Sequence, residues 1–100
     1  MTTIIATLQV KAGQEKAFEE AVRPLIAHVK QSEPGTRTYL LHRSTSDATR
    51  FAFYEVYADQ AAVAAHSGSE PMQKFFGAVG GMLAGRPEIT MYEEIDGKRG

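Results

Sequence analysis

The sequence predicts an α+β domain with the ferredoxin-like order βαββαβ, in which a four-stranded antiparallel sheet carries its helices on one face. Three observations predict it. Four segments alternate apolar and polar residues with period two, two longer segments repeat apolar residues at helical spacing, and stretches rich in Gly, Pro or Ser separate them. The chain has 100 residues, which is the size of one domain. We expect a single domain over residues 1–96 and a frayed tail over 97–100.

The first half of the chain contains a strand and a helix. Residues 3–10 alternate with period two, which predicts a strand. Over residues 14–30 the apolar side chains fall on one helical stripe, formed by Phe18, Ala21, Val22, Leu25, Ile26 and Val29. Pro24 lies within this segment and removes one intrahelical hydrogen bond, so we expect a kink or a broken first turn there.

The middle of the chain predicts an antiparallel hairpin. After the turn at Glu33-Pro34-Gly35, residues 36–43 and 50–57 read as strands, and the connection between them is short and polar. Asp59 is then a suitable N-cap for a short helix over residues 60–66.

The last third predicts a second helix and a final strand. A helix begins near Pro71, after a Ser67-x-x-Glu70 pattern that resembles a capping box. Gly85 is a plausible stop, and residues 88–95 predict the last strand. The buried stripe of the helix is expected to contain Met72, Phe75, Phe76, Val79 and Leu83.

The predicted strands carry apolar residues on both faces. Phe51 and Phe53 alternate with Tyr54 and Val56, for example. Because two helices cover only one face of a four-stranded sheet, the second face needs another cover. We expect a second copy of the chain, packed sheet against sheet in a twofold homodimer.

Composition excludes several classes of function. Eleven Lys and Arg against twelve Asp and Glu give a net charge of −1, with no basic patch for nucleic acid or anionic lipid. The chain has no cysteine, hence no disulfide or thiolate chemistry, and no apolar run long enough to span a bilayer. We therefore expect a cytoplasmic protein without nucleic-acid or membrane partners.

Short motifs spread over nearly the whole chain identify a family. In order they are Val10-Lys11-Ala12-Gly13, Glu33-Pro34-Gly35, Phe53-Tyr54-Glu55-Val56-Tyr57-Ala58-Asp59, Ala65-His66-Ser67, Phe75-Phe76 and Pro87-Glu88-Ile89 through Tyr92. Together they resemble the antibiotic biosynthesis monooxygenase family, and most closely its small quinol monooxygenase and signal-degradation branch. The resemblance implies a dimeric α+β barrel. It also implies a monooxygenase that oxidises a small quinol or phenol with molecular oxygen, without metal or flavin.

Two titratable residues are the candidates for catalysis. His66 falls on the family's pattern and its ordinary pKa lies near neutrality, so it is suited to be a base or donor, although a histidine at a helix end can also simply cap carbonyls. Glu55 shares a strand face with aromatic residues and must find a partner or keep its proton. We expect it to orient His66 or a nearby arginine; a structural salt bridge is the alternative.

Four aromatic residues are the candidates for substrate binding, with core packing as the alternative for each. They are Tyr57, Phe53, Phe75 and Phe76. We interpret His28, His42 and Arg43 as surface or interface residues, and no histidine pair has metal-ligand spacing. The last helix also lacks the histidine that ligates iron in haem-degrading relatives of the superfamily, so neither a metal nor a haem site is predicted.

Two other functions remain open. One is an isomerase or degradative enzyme for a small signalling metabolite, in which Arg37 or Arg43 would face a phosphate. The other is a non-catalytic dimer that binds a hydrophobic metabolite in the same pocket.

Overall fold

A computed structural model describes residues 1–100 and contains the predicted order of elements. The elements are β1 (Thr2–Gln9), α1 (Glu15–Ser32), β2 (Thr36–Arg43), β3 (Arg50–Tyr57), α2 (Gln60–Ser67), α3 (Glu70–Val79), a 3₁₀ turn (Gly80–Met82) and β4 (Glu88–Glu93). The four strands form one antiparallel sheet in the order β2-β3-β1-β4. The ferredoxin-like α+β fold is thereby confirmed.

The register assigns each side chain to one side of the sheet. Ile4 of β1 pairs with Glu55 of β3 and with Met91 of β4, and Glu55 pairs with Tyr39 of β2. Directly opposed residues of antiparallel strands point to the same face, so these side chains all lie on the helix side. The neighbouring residues, Ile5 and Tyr54 among them, lie on the other side, which we call the helix-free face.

The core lies between the sheet and the helices. Phe18 of α1 is fully buried, with its ring centroid 4.8 Å from that of Phe51 and 6.1 Å from that of Phe75. Phe75 of α3 also meets Phe53 edge to face, at 6.2 Å. Four aromatic residues, two from the helices and two from β3, thus fix how the helices pack on the sheet.

The course of α1 at Pro24 and the end of β4 differ from the prediction. Helix α1 runs unbroken through Pro24, whose ring is exposed, so the carbonyl group deprived of a partner can bond to water instead. Strand β4 ends at Glu93 rather than at Ile95, because its partner β1 begins at Thr2, opposite Glu93. Ile95 is almost entirely exposed.

The N-terminal cap of α2 agrees with the prediction, and that of α3 does not. The Asp59 carboxylate accepts a hydrogen bond from the Ala62 N–H at 2.9 Å, which confirms the cap of α2. Helix α3 is capped by Ser69, whose hydroxyl accepts from Met72 N–H, and not by Ser67, because α2 extends through Ser67. Helix α3 ends at Val79, and the predicted buried position of Phe76 is wrong, since that ring is 39% exposed.

The helix-free face remains largely open in the single chain. It exposes Ile5, Leu40, Tyr54 and Tyr92. Residues 94–100, which include the predicted frayed tail over 97–100, form no helix or strand, and several of them border a depression with Thr3, Tyr54 and Val56 on this face. The second copy expected to cover the face stays a prediction.

The helices also leave part of their own side of the sheet uncovered. Ile89 and Met91 of the edge strand β4 point to the helix side, yet they are 60% and 52% exposed. The helix layer therefore stops before β4 and leaves an apolar opening along that edge. None of the helices combines the length and the apolar character that a membrane span requires.

Candidate functional site

A small cavity of about 70 Å³ lies between the sheet and the helices and opens toward β4. Nine of its thirteen lining residues are hydrophobic. Strands β1 to β3 contribute Ile4, Ala6, Leu8, Tyr39, Phe53 and Glu55; the helices contribute His66, Ser67, Met72, Phe75 and Phe76; Pro87 and Ile89 border the opening. Glu55, His66 and Tyr39 are the titratable residues of this wall. Ser67 is its other hydroxyl-bearing residue, and the remaining lining is apolar.

His66 lies in the last turn of α2 and is only 3% exposed. Its Nδ1 lies 2.9 Å from Oε1 of Glu33, whereas its Nε2 is buried and has no hydrogen-bond partner. Two tyrosine rings flank the imidazole, with centroid distances of 4.9 Å to Tyr39 and 5.6 Å to Tyr57. A buried nitrogen without a partner is costly in a stable core, so its presence at a cavity wall indicates a site where a ligand can bond.

Glu33 is the residue that holds this histidine. Its side chain is 7% exposed and lies at the C-terminal end of α1. Oε1 accepts a hydrogen bond from the Thr36 hydroxyl at 2.8 Å in addition to its contact with His66. His28 Nε2 lies 3.0 Å from Oε2, close enough for an ion pair but not aligned as a hydrogen bond.

Close packing of the α1–β2 turn against α2 brings Glu33 to His66. Gly35 carries no Cβ, and a Cβ placed there would lie 2.7 Å from Cβ of Ala62. Its carbonyl also accepts a hydrogen bond from the Ala58 N–H at 2.9 Å, which ties the turn to the end of β3. Glycine at this position therefore allows the approach on which the Glu33–His66 contact depends.

Glu55 forms a second polar pair next to the first. Its Oε1 accepts a hydrogen bond from the Tyr57 hydroxyl at 2.5 Å, and both residues are buried. Burial, with a smaller contribution from the nearby Glu33 charge, raises the pKa of Glu55 from 4.5 to about 7, although the Tyr57 hydrogen bond opposes the shift. Near neutral pH this carboxyl group is therefore divided between its acid and its carboxylate.

The two tyrosines of the site are neutral hydroxyl donors. Burial, reinforced by the negative charges of Glu55 and Glu33, raises the pKa of Tyr39 well above its ordinary value of 10. Burial and the hydrogen bond to Glu55 do the same for the pKa of Tyr57. Neither phenol ionises at neutral pH, so neither is available as a base.

The structure brings the predicted site residues together. His66, Glu55, Phe53, Phe75 and Phe76 all line the cavity, with Phe76 at its opening. Tyr57 does not line it and instead lies behind Glu55, fully buried, as the partner of that carboxyl group.

The predicted orienting role of Glu55 is wrong, since its partner is Tyr57 and the group that contacts His66 is Glu33. His28, interpreted as a surface residue, is only 25% exposed in its side chain because it lies against Glu33. Glu33-Pro34-Gly35 is predicted to be a turn and part of the family pattern, without a role in the site. One signal could have identified Glu33, because an acidic residue at a helix C-terminus opposes the helix dipole and needs a compensating partner.

The basic residues considered for a phosphate site lie elsewhere. Arg37 and Arg43 are exposed on β2, and Arg43 Nη1 bonds to Glu19 Oε2 at 2.9 Å. No Lys or Arg lines the cavity. The arrangement can accept a proton at His66 and exclude water, but it offers no positive charge to an anion.

His28, Glu33 and His66 do not form a metal site. The two histidine nitrogens approach different oxygens of the carboxylate, and no group of three or more His, Asp or Glu side chains is arranged to hold an ion.

Comparison with solved structures places the whole chain within one group of proteins. A protein from Caulobacter crescentus CB15, provisionally named an antibiotic biosynthesis monooxygenase, is 30% identical and superimposes with a TM-score of 0.91 over 95% of this chain and 90% of its own. One from Nitrosomonas europaea with the same provisional name is 27% identical, with a TM-score of 0.89 over 96% of this chain and 100% of its own.

Comparison with the sequences of curated proteins finds no match. Comparison with family profiles agrees with the structural similarity. The sequence profile of the family described as antibiotic biosynthesis monooxygenase matches residues 1–78, which include β1 to β3, α2 and the whole Glu33–His66 contact. The chain therefore belongs to the antibiotic biosynthesis monooxygenase family.

Proposed function

We propose that this protein is a cofactor-independent monooxygenase that oxidises a small hydroquinone or phenol with molecular oxygen. The observation that carries the proposal is the buried, unpartnered Nε2 of His66 at the wall of an apolar cavity. Such a nitrogen can take the proton of a phenolic hydroxyl group in a place where water does not compete.

The proposed chemistry depends on making the substrate electron-rich. Ground-state oxygen reacts slowly with closed-shell molecules, whereas a phenolate gives up one electron readily. His66 removes the hydroxyl proton, one electron passes to oxygen, and the two radicals join through a new C–O bond at a ring carbon. The resulting peroxide takes the proton back from His66. Loss of the hydrogen on that carbon and cleavage of the O–O bond leave a carbonyl group and release one water, so that a hydroquinone and O₂ give a hydroxyquinone and H₂O.

The size of the cavity limits how the substrate can sit. A cavity that holds benzene measures roughly 150 Å³, about twice the 70 Å³ present here. An aromatic ring would therefore occupy the opening between Phe76 and Ile89 and insert only its hydroxyl edge toward His66. The half-exposed ring of Phe76 has room to turn outward and widen this opening.

The charge of the wall selects the class of substrate. The lining carries the Glu55 carboxyl group and no Lys or Arg, so a neutral, hydroxyl-bearing aromatic compound fits better than an anion. This favours the oxygenase over the isomerase acting on a phosphorylated metabolite.

We also propose that the working form is a homodimer. A second copy of the chain on the helix-free face would cover Ile5, Leu40 and Tyr54, which a single chain exposes.

The test is turnover of a panel of hydroquinones and phenols with and without oxygen. We expect oxygen-dependent product formation that survives chelators, with one ¹⁸O atom from ¹⁸O₂ in the product. His66→Ala should lower kcat by about 10²-fold or more. The control is Gln73→Ala, which truncates an exposed side chain of α3 outside the cavity lining.

Equal turnover in His66→Ala and in the wild type would remove His66 from the mechanism. Turnover without oxygen would contradict the oxygenase. Tight binding of the panel compounds without any turnover would point to the non-catalytic binder.

A further inference from the structure

The carboxylate of Glu33, which lies outside the cavity lining, contacts Nδ1 of the one histidine in that lining, and the Nε2 of this histidine is buried without a partner. We infer that Glu33 is a positioning residue, which accepts the Nδ1–H of His66 and so fixes the neutral imidazole in the form whose unprotonated Nε2 serves the cavity. The role of Nε2 as a base rests on the proposed function, whereas the orientation of the ring does not.

The donor and acceptor inventory of Glu33 supports this assignment. An ionised carboxylate can only accept hydrogen bonds, and a neutral imidazole carries one N–H. Oε1 already accepts from the Thr36 hydroxyl, and the 2.9 Å contact with His66 Nδ1 converges on the same oxygen. The hydrogen of the ring therefore belongs on Nδ1, and the lone pair is left on Nε2, the buried atom without a partner.

No other neighbour competes for the ring nitrogens. Tyr39 and Tyr57 contact the imidazole through their rings, and the Tyr57 hydroxyl donates to Glu55. Glu55 accepts a hydrogen bond from the Tyr57 hydroxyl at Oε1 and makes no hydrogen bond to His66. The orientation of His66 depends on a single hydrogen bond.

The second carboxylate oxygen of Glu33, Oε2, faces His28. His28 Nε2 lies 3.0 Å from Oε2, and its side chain is 25% exposed to solvent. When His66 takes a proton, the resulting imidazolium is paired with the Glu33 carboxylate, the arrangement by which buried carboxylates stabilise catalytic histidines in hydrolases. Glu33 lies outside the cavity lining, so it acts on the proton acceptor without touching the substrate.

A pair of substitutions at one position tests the inference. Glu33→Gln keeps an oxygen that can accept the Nδ1–H, whereas Glu33→Met removes it at similar length. Long-range ¹⁵N–¹H correlation spectra report which ring nitrogen of His66 carries the hydrogen. We expect the Nδ1–H form in the wild type and in Glu33→Gln, and a mixture with the Nε2–H form in Glu33→Met.

Kinetics provide the second readout. Because Glu33 does not line the cavity, Glu33→Met should lower kcat by about 10²-fold with KM changed less than about threefold, and Glu33→Gln should recover part of the loss. Glu19→Gln, which changes a half-buried carboxylate paired with Arg43 away from the cavity, is the matched control and should leave both readouts unchanged.

Two results would overturn the inference: an unchanged Nδ1–H form of His66 in a folded Glu33→Met protein, or the Nε2–H form in the wild type. Thermal unfolding of each variant shows whether it is folded, and if Glu33→Met is not, the spectrum of the wild type still decides. Absence of turnover with every compound, together with the expected spectra, would contradict the proposed function but leave the positioning role of Glu33 standing.

Discussion

The two sides of the sheet are built from the same strands but differ in how they are covered. On the helix side of β3, Phe51 and Phe53 are 1% and 3% exposed. On the helix-free face, Tyr54 of the same strand is 40% exposed and Leu40 of β2 is 51% exposed. At these positions the residue type is similar on both sides while burial differs, whereas Val56 of the helix-free face is buried beside the C-terminal residues.

This difference separates two kinds of information in the sequence. Alternation with period two determines which residues share a side, because successive side chains of a strand point in opposite directions. It does not determine what lies over that side. Substitutions on the two sides should therefore have effects of different size and kind.

The largest expected effect is on the helix side. Phe18→Ala removes a fully buried ring that contacts Phe51 and Phe75, and should lower the free energy of unfolding by about 3–5 kcal/mol. Tyr54→Ala, the matched truncation on the helix-free face, should cost a single chain less than about 1 kcal/mol. Urea unfolding at low protein concentration measures both, and equal losses would show that the two sides are equally packed.

The next largest effect on stability is expected from Glu55, the carboxyl group that is buried on the helix side. The folded pKa of Glu55, about 7, lies above its ordinary value of 4.5. A raised acid pKa stabilises the folded state below pH 4.5, and this contribution is lost as the pH rises through 7. Glu55→Gln should therefore match the wild type near pH 5 and be more stable by about 1–3 kcal/mol at pH 8.

The measurement is urea unfolding of both proteins at several pH values. Subtracting the two curves cancels the titration of the histidines, which both proteins share. A difference that stays constant between pH 5 and pH 8 would contradict the raised pKa. Glu93→Gln, on an exposed carboxylate at the end of β4 without an ion pair, is the control.

The smallest effect on folding, and the most informative one for assembly, is expected on the helix-free face. Leu40→Lys places a charge on the exposed side chain at the centre of β2 and should change the stability of a single chain by less than about 1 kcal/mol. In a twofold dimer the charge appears twice in one interface, so the dissociation constant should rise at least about tenfold. Sedimentation equilibrium measures it.

Thr45→Lys, in the exposed connection between β2 and β3, is the control for Leu40→Lys. A wild type that sediments as a single chain at micromolar concentration would contradict the proposed dimer. A dimer that persists unchanged in Leu40→Lys would place the interface elsewhere.

Most of the fold could be predicted from the sequence because it depends on local patterns. Period-two alternation located the strands, and helical spacing located α1. The differences arise where a tertiary partner decides the outcome. Strand β4 stops at Glu93, opposite the first residue of β1, and Phe76 is exposed where the helix layer stops short of β4.

The site was predicted by residue type more than by contact. His66 and Glu55 were identified from their chemistry, from the resemblance and from the strand face that Glu55 shares with the aromatic residues. Their partners could not be assigned, since Glu33 lies 33 residues before His66 and reaches it only through the close packing at Gly35. The pattern of residues within one segment cannot predict a contact between two residues so far apart in the sequence.

The exposed edge strand β4 has one further consequence. Its outer edge offers unpaired backbone groups, which invite the same strand of another molecule to add to the sheet. Two copies aligned antiparallel over residues 88–93 would place Glu88 of each opposite Glu93 of the other. Like charges opposed across strands are repulsive. The acidic ends of this strand thus discourage growth of the protein into fibrils.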